Sequence, residues 1–376
     1  MNKRLSILAP TRYPWRFNSP RHSRHDISIR KFLPMNRLNY RLEGITVFNP
    51  FPLKRFDLIH TFNRIPVSSL PFVMGYESHM PRAYGLEHTA YYRAMARRLA
   101  GPKCRRIVAI SNYAKRLLLR QHEGQAWLGD ITAKLEVRYP NMDIPIAEDI
   151  FEHNANDPIR LVFVGNHFGR KGGCVALRLA ELALADGLPL EMEIISGLEV
   201  GIVSWVDPLQ TGFFASDFAK LQQLPNVRYS RFIPNAELMA RVARAHFSLL
   251  PTFADTFGFS VIEAMAHHTP VITTAQGVMP EFIRDGQNGI LLPLECDQYG
   301  DWIHMKRNNR DSTVYEKLFR DQNNQLAETA FARIKQTLAN PSHYLNMRKA
   351  ARITAEEHFC AQKADTYWDN LYEASL

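Results

Sequence analysis

No run of apolar residues in this 376-residue chain approaches the roughly 20 needed to cross a bilayer. The chain opens with the positive head Met1-Asn-Lys-Arg4, but Pro10 ends the apolar stretch Leu5 to Ala9 too early for a signal peptide. The expectation is a cytoplasmic protein, at most peripheral on the inner face of a membrane. Cysteine is scarce. Cys104, Cys174, Cys296 and Cys360 lie far apart with no C-x-x-C pair, which excludes a ribbon-type zinc site or a dithiol redox motif and suits a reducing compartment. There is also no low-complexity tract, no repeat at solenoid spacing and no D-x-D pair of the kind that grips a divalent ion beside a diphosphate.

Acidic residues are scarce in one place only. Through residue 120 there are 23 Lys and Arg against 5 Asp and Glu, whereas the remainder holds 23 against 32. So lopsided a split turns the N-terminal part toward something anionic: a nucleic acid, an acidic membrane leaflet or a phosphorylated substrate. The remaining composition, 46% hydrophobic and 22% charged, is that of an ordinary globular protein long enough for two cores.

Strand and helix signals alternate through the chain. Ser6 to Leu8, Asp57 to His60, Pro71 to Met74, Arg106 to Ile110 and Leu135 to Arg138 read as strands, and Ser111 stands at the N-cap of a helix over 112–121. Residues 141–158, rich in Pro, Asp and Asn, read as a linker. A second series opens with Arg160 to Val164, a glycine-rich turn and a helix from Cys174 to Ala185. It continues through strands at 190–196, 227–229, 247–250, 270–273 and 289–292, with helices at 236–245 and 260–267. Alternation of this kind implies parallel sheets with helices on both faces, twice over. Residues 295–325 are polar and read as an insertion or irregular helix, followed by helices over 325–338, 344–359 and 364–372. The expected domains are 1–150, 151–350 and a C-terminal helical segment 351–376.

Two segments carry chemistry. Phe163-Val-Gly165-Asn166-His-Phe168-Gly-Arg170-Lys171-Gly172-Gly173 joins the first strand of the second series to its helix. Pro251-Thr-Phe-Ala-Asp255-Thr-Phe257-Gly258-Phe259-Ser260-Val-Ile-Glu263 likewise leaves a strand, turns through glycine and enters a helix. Helix starts of this kind present backbone N–H groups to anions. Asp255 and Glu263 are spaced to hold hydroxyls on two parts of one extended ligand. The glycine-rich turn lacks the G-x-x-x-x-G-K-[ST] spacing of a P-loop, with no Ser or Thr after Lys171 to hold magnesium.

The Asp255–Glu263 segment resembles the E-x7-E signature of retaining glycosyltransferases of family four, which have the two-domain GT-B fold. Pro270-Val-Ile, Gly277 through Glu281 and Asp285-Gly-Gln-Asn-Gly289 continue the likeness, and Phe163 to Gly173 is similar to the branch carrying "F-V-G-x-x-F-x-R-K-G". The resemblance implies an α/β chain of two Rossmann-like domains with a cleft between them and a C-terminal helix crossing back. It implies a nucleotide-diphosphate sugar as donor, with no metal and no cofactor. Arg170 and Lys171 would hold the diphosphate, and Glu263 the ribose hydroxyls. Asp255 would hold the sugar hydroxyls, with Gly165, Asn166, Phe257, Gly258, Phe259 and Ser260 lining the donor site.

This sequence departs from the pattern at three places. Asp255 stands where the family has Glu, one methylene shorter, and Asn166 where many members have Arg. Aligning Pro71 to Ser78 with the family's "P-x-V-x-x-x-H-D" puts Glu77 where a cleft histidine is expected, with His79 two residues on. A carboxylate there would stabilise an oxocarbenium-like centre or assist a proton transfer. Arg12, Arg16, Arg21, Arg24 and Arg30 form a basic run after the first strand, expected to face an acidic glycan or a lipid-linked acceptor. The stretch Tyr91 to Leu99 is basic and aromatic and fits either an anionic membrane surface or a core-packed helix. A catalytically silent GT-B protein and a basic nucleic-acid-binding protein are the alternatives, the latter without any recognisable nucleic-acid motif.

Overall fold

The computed structural model describes residues 4–10, 13–33, 35–37, 39–42, 44–48, 55–83, 85–145, 150–153, 157–305 and 307–376. The chain divides into two compact units, Met1–Ile144 together with His358–Leu376, and Pro145–Glu357.

The first unit is built on a six-stranded parallel sheet. Its order is Asp26–Arg30, Ser6–Pro10, Leu58–Phe62, Phe72–Tyr76, Cys104–Ala109, Leu135–Val137. The strands Leu58–Phe62 and Phe72–Tyr76 are buried at every position, as a parallel sheet covered on both faces requires. Ser111 caps the helix Asn112–Gln121 as its sequence position predicts, its hydroxyl accepting from the Ala114 N–H at 2.9 Å. One face of the sheet is closed by the helix Ala361–Glu373, whose Ala364, Trp368, Leu371 and Tyr372 pack with Leu5, Ile7, Leu58, Val73 and Val108. Each large side chain fully buried there contributes about 1.5–3 kcal/mol. Buried His60 bonds the Tyr372 hydroxyl at 2.8 Å, and burial pushes its pKa down to about 3, so the ring is neutral. The sequence sets a boundary at 350/351, with the last helix beyond it packing back on the first unit. The helix Pro341–His358 runs unbroken past that point and carries the crossing to 357/358.

The acidic partners of the N-terminal basic run sit on that last helix. The backbone N–H of Arg21 donates to Asp365 at 2.5 Å, and its guanidinium holds Asn141 at 3.2 and 3.0 Å. The Arg24 backbone donates to Asp369 at 2.9 Å and its guanidinium pairs with Glu373 at 2.8 Å. Arg30 lies over the Phe56 ring. These three are structural pins, which corrects the expectation that the whole run faces an acceptor. Arg16 is exposed, and Arg12 lies outside the described residues. The helix Ala90–Ala100 turns Tyr92, Ala96 and Leu99 inward and spends Arg98 on the Pro66 and Ser68 carbonyls, while exposed Arg93 donates to the His88 carbonyl at 3.0 Å and Arg97 is exposed. Among the described residues, no helix is long and apolar enough to cross a membrane.

The second unit has its own six-stranded parallel sheet. Its order is Val227–Ser230, Leu190–Ile195, Ile159–Val164, Phe247–Leu250, Val271–Thr274, Gly289–Leu292. Strand succession thus runs outward from Ile159–Val164 in one direction, then restarts beside it with Phe247–Leu250. The crevice at the carboxyl ends of those two strands is the topological switch point, where doubly wound sheets bind ligands. The stretch 295–325 is less irregular than its polarity suggests: a 26-residue helix starts at Thr313, capped by Ser312.

Candidate functional site

Both glycine-rich segments meet at the switch point of the second unit. After Val164 the chain turns through Gly165 to Gly172 and enters the helix Gly173–Asp186. After Leu250 it turns through Pro251 to Gly258 and enters the helix Phe259–Ala266. Both N-caps are glycines in the left-handed region, Gly172 at φ 89° and Gly258 at φ 77°, and neither helix start carries a side-chain cap. Ser or Asp at a cap would occupy the first-turn N–H groups, whereas glycine leaves them to an anion.

Lys171 and Asp255 form the centre of the site. The lysine ammonium lies 3.0 Å from the Asp255 carboxylate, which is nine-tenths buried. Gly165 makes room for the lysine stem, since a Cβ there would stand 2.7 Å from Lys171 Cδ. Burial works against the Asp255 charge, but Lys171 and Arg170 outweigh it and hold the carboxyl below its usual value. The Asp255 N–H donates to Gln276 Oε1 at 3.2 Å. Arg170 is equally buried and donates to the Ala254 carbonyl, with its guanidinium 5.6 Å from the Trp205 ring centroid. Asn166 is exposed beside it, its Oδ1 accepting from the Gly197 N–H at 3.3 Å.

Glu263, in the helix Phe259–Ala266, is half-buried. Burial pushes its pKa up to about 7, against the opposing pull of Lys171, so the side chain takes a proton near neutrality. The Phe257 ring is fully buried against Phe282, while Phe259 and Ser260 are half-buried. The structure thus gathers Gly165, Asn166, Arg170, Lys171, Asp255, Phe257, Gly258, Phe259, Ser260 and Glu263 around one crevice. Gln276 and Trp205 join them with no signal in the sequence, since neither falls in a recognisable motif.

The raised Glu263 pKa sets a pH dependence. The folded state keeps a proton that the unfolded chain, with a glutamate near its ordinary value of about 4.3, has already released. Its stabilising contribution is therefore complete below about pH 4.3 and is lost as pH rises through 7. After discounting for solvent screening this is on the order of 1–3 kcal/mol. Glu263→Gln should melt progressively higher relative to the parent between pH 5 and pH 8. Parallel melting profiles across that range would rule the shift out.

Glu77, in the first unit, stands just past the strand Phe72–Tyr76 and is firmly held. Its Oε1 accepts from Asn63 Nδ2 at 2.9 Å and from Arg82 at 2.5 Å, while its own N–H donates to Asn63 Oδ1 at 3.1 Å. Asn63 adopts φ 56° to make this reciprocal pair. His79 is half-buried two residues on. Among the described residues, no group of three or more His, Cys, Asp or Glu side chains is placed to hold a metal ion.

Two parallel doubly wound sheets, one with a ligand crevice flanked by glycine-capped helices, define a two-domain α/β protein of the GT-B type. Residues 158–301, within the second unit, match the family model described as glycosyl transferases group 1. Curated relatives include a D-inositol 3-phosphate glycosyltransferase of Nocardioides sp., 31% identical over 62% of this chain and 48% of that protein. Another of that name, from Mycobacterium sp. (strain KMS), is 37% identical over 19% of this chain and 17% of that protein. The matched stretches thus span less than half the length of these relatives. Among solved structures, Anabaena Alr3699/HepE in complex with UDP matches with a TM-score of 0.58 and 13% identity, over 99% of this chain and 100% of that one. A glycosyltransferase from Rickettsia africae ESF-5 matches with a TM-score of 0.56 and 14% identity, over 99% and 98%. At such identities the likeness shows the fold.

Proposed function

We propose that this protein is a retaining, metal-independent glycosyltransferase that moves a hexosyl group from a nucleotide-diphosphate sugar to an anionic acceptor. The observation that carries this reading is the convergence of Lys171, Asp255 and Glu263 between two uncapped, glycine-led helix starts at the switch point of a parallel sheet.

In this reading Lys171, Arg170 and the helix N–H groups bind the donor diphosphate and neutralise the charge that grows on it as the sugar leaves. A preorganised electrostatic effect of that kind is often the largest in such chemistry, and it asks for no metal. Glu263 accepts from the ribose hydroxyls and Asp255 from the sugar. The nucleobase has room in a cavity of 580 Å³ lined by Asn166, Gly197, Glu199, Ser230, Arg231 and Phe232, whose ring is 79% exposed. Glu77, fixed by Asn63 and Arg82, supplies a carboxylate on the acceptor-bearing unit.

The acceptor reading rests on charge. The first unit, over 1–144 and 358–376, holds 26 Lys and Arg against 12 Asp and Glu even after its last helix neutralises Arg24. A phosphorylated glycan or lipid-linked phosphate of a bacterial envelope, lipopolysaccharide-type, fits such a surface. The relatives named for D-inositol 3-phosphate carry a phosphate in that name. A cytoplasmic location, peripheral on the inner face of the membrane, would follow from such an acceptor.

The test is a thermal-shift screen against UDP, GDP, CDP, ADP, dTDP and their sugar conjugates, without added metal. One base family at 100 times its Kd should stabilise by about 2.7 kcal/mol, a rise of roughly 5–10 °C for a unit of this size. No response to any nucleotide would overturn the donor assignment in favour of a catalytically silent fold.

A further inference from the structure

The loop between Glu199 and Gln210 is short of regular structure yet tightly held. Asp207, fully buried, accepts from the Gly201 N–H and the Ser204 hydroxyl, each at 3.0 Å. Arg310 donates to the Ser204 and Asp207 carbonyls at 2.6 and 2.9 Å, and the Tyr315 hydroxyl donates to the Val206 carbonyl at 2.5 Å. The loop is also locked to the turn that carries Arg170. Glu199 and Asn166 bond through their backbones at 2.8 Å, as do Phe168 and Glu199. Gly169 abuts Asp207 so closely that a Cβ would stand 2.6 Å from its Oδ1.

From this rigid frame one large ring projects. Trp205 is 47% exposed while Ser204, Val206 and Asp207 beside it are buried, and the Arg170 guanidinium sits over its indole. The face of an indole attracts a cation more strongly than that of any other side-chain ring. Here the face is spent on a cation already tethered at one edge to the Ala254 carbonyl. The cation–π contact and the bond to Ala254 together restrain the guanidinium, and a restrained planar fork grips phosphate oxygens in a way that a swinging one does not.

We infer that Trp205 is a positioning residue for donor binding: it orients the Arg170 guanidinium toward the diphosphate. This rests on the donor reading above. The loop frame is independent of the indole, so Trp205→Leu keeps the fold, and its melting temperature without ligand stays within about 2 °C of the parent.

The test measures inorganic pyrophosphate binding by calorimetry for the unaltered protein, Trp205→Leu, Trp205→Phe, Lys171→Ala and Arg170→Ala with and without Trp205→Leu. Trp205→Leu should weaken binding about five- to tenfold, and Trp205→Phe, which still offers a ring face, should recover most of the loss. On the Arg170→Ala background Trp205→Leu should add nothing. Unchanged affinity in Trp205→Leu, equal loss in Trp205→Phe, or additivity with Arg170→Ala would overturn the inference. Failure of the unaltered protein to bind pyrophosphate, or wild-type binding in Lys171→Ala, would instead overturn the donor reading. Loss in Lys171→Ala with none in Trp205→Leu would sink the Trp205 role alone.

Discussion

Lys171→Ala should lower sugar transfer or donor hydrolysis by about 10²- to 10³-fold, the range seen when one preorganised charge-stabilising group is removed from an active site. Two effects add. In the proposed reading the developing charge on the diphosphate loses a cation, and Asp255, nine-tenths buried, loses the ammonium 3.0 Å away. Stripping one partner from a buried pair costs about 3–5 kcal/mol, so activity must be compared at a temperature where circular dichroism shows both proteins folded. Lys171→Met, which keeps the stem that lies along Gly165, separates lost charge from lost packing. If either variant turns over within threefold of the parent, the pair is a structural brace and the donor assignment falls.

Gly172→Ala should be the most damaging single methyl in the second unit. The residue sits at φ 89°, where a side chain costs about 1–2 kcal/mol, and the added Cβ would stand 2.4 Å from the Pro251 carbonyl oxygen. Pro251 begins the other glycine-rich segment, so relief of the clash must push the two halves of the site apart. A loss of about 3–5 kcal/mol is expected, or roughly 10–15 °C of melting temperature. Gly187→Ala is the control. It has φ 69° at the other end of the same helix, but its Cβ would meet nothing within 4 Å. Only the conformational cost remains there. Equal effects of the two substitutions would show that the contact with Pro251 carries no weight.

Much of the second unit was legible because its turns announce themselves. Gly165 to Gly173 and Asp255 to Glu263 each lie between an apolar strand and an amphipathic helix, and the structure brings them to one crevice. What stayed hidden was of two kinds. The helix starting at Thr313 presents Tyr315, Phe319 and Leu326 to the core, but Asn323 occupies a buried position among them and breaks the apolar period. Partners distant in sequence were invisible too. The excess of arginine near the N-terminus reads as a surface seeking an anion, yet Arg21 and Arg24 meet Asp365 and Glu373 some 340 residues later. Charge counted along a chain reports how much there is and says nothing of what it faces. Trp205 and Gln276 were illegible for the same reason, since their value lies in a neighbour 35 or 21 positions away.

The return of residues 358–376 to the first unit has a consequence for how the protein is made. The ribosome finishes the N-terminal sheet long before it makes the helix that covers one face of it. Leu5, Ile7, Leu58, Val73 and Val108 must wait for Trp368 and Tyr372 while the whole second unit is synthesised. At about 5–20 residues per second, that interval lasts on the order of ten seconds or more. Throughout it the apolar face that Trp368 and Tyr372 cover lacks that cover on the nascent chain, until the helix Ala361–Glu373 emerges. The second unit, continuous in sequence, is free to close as it emerges.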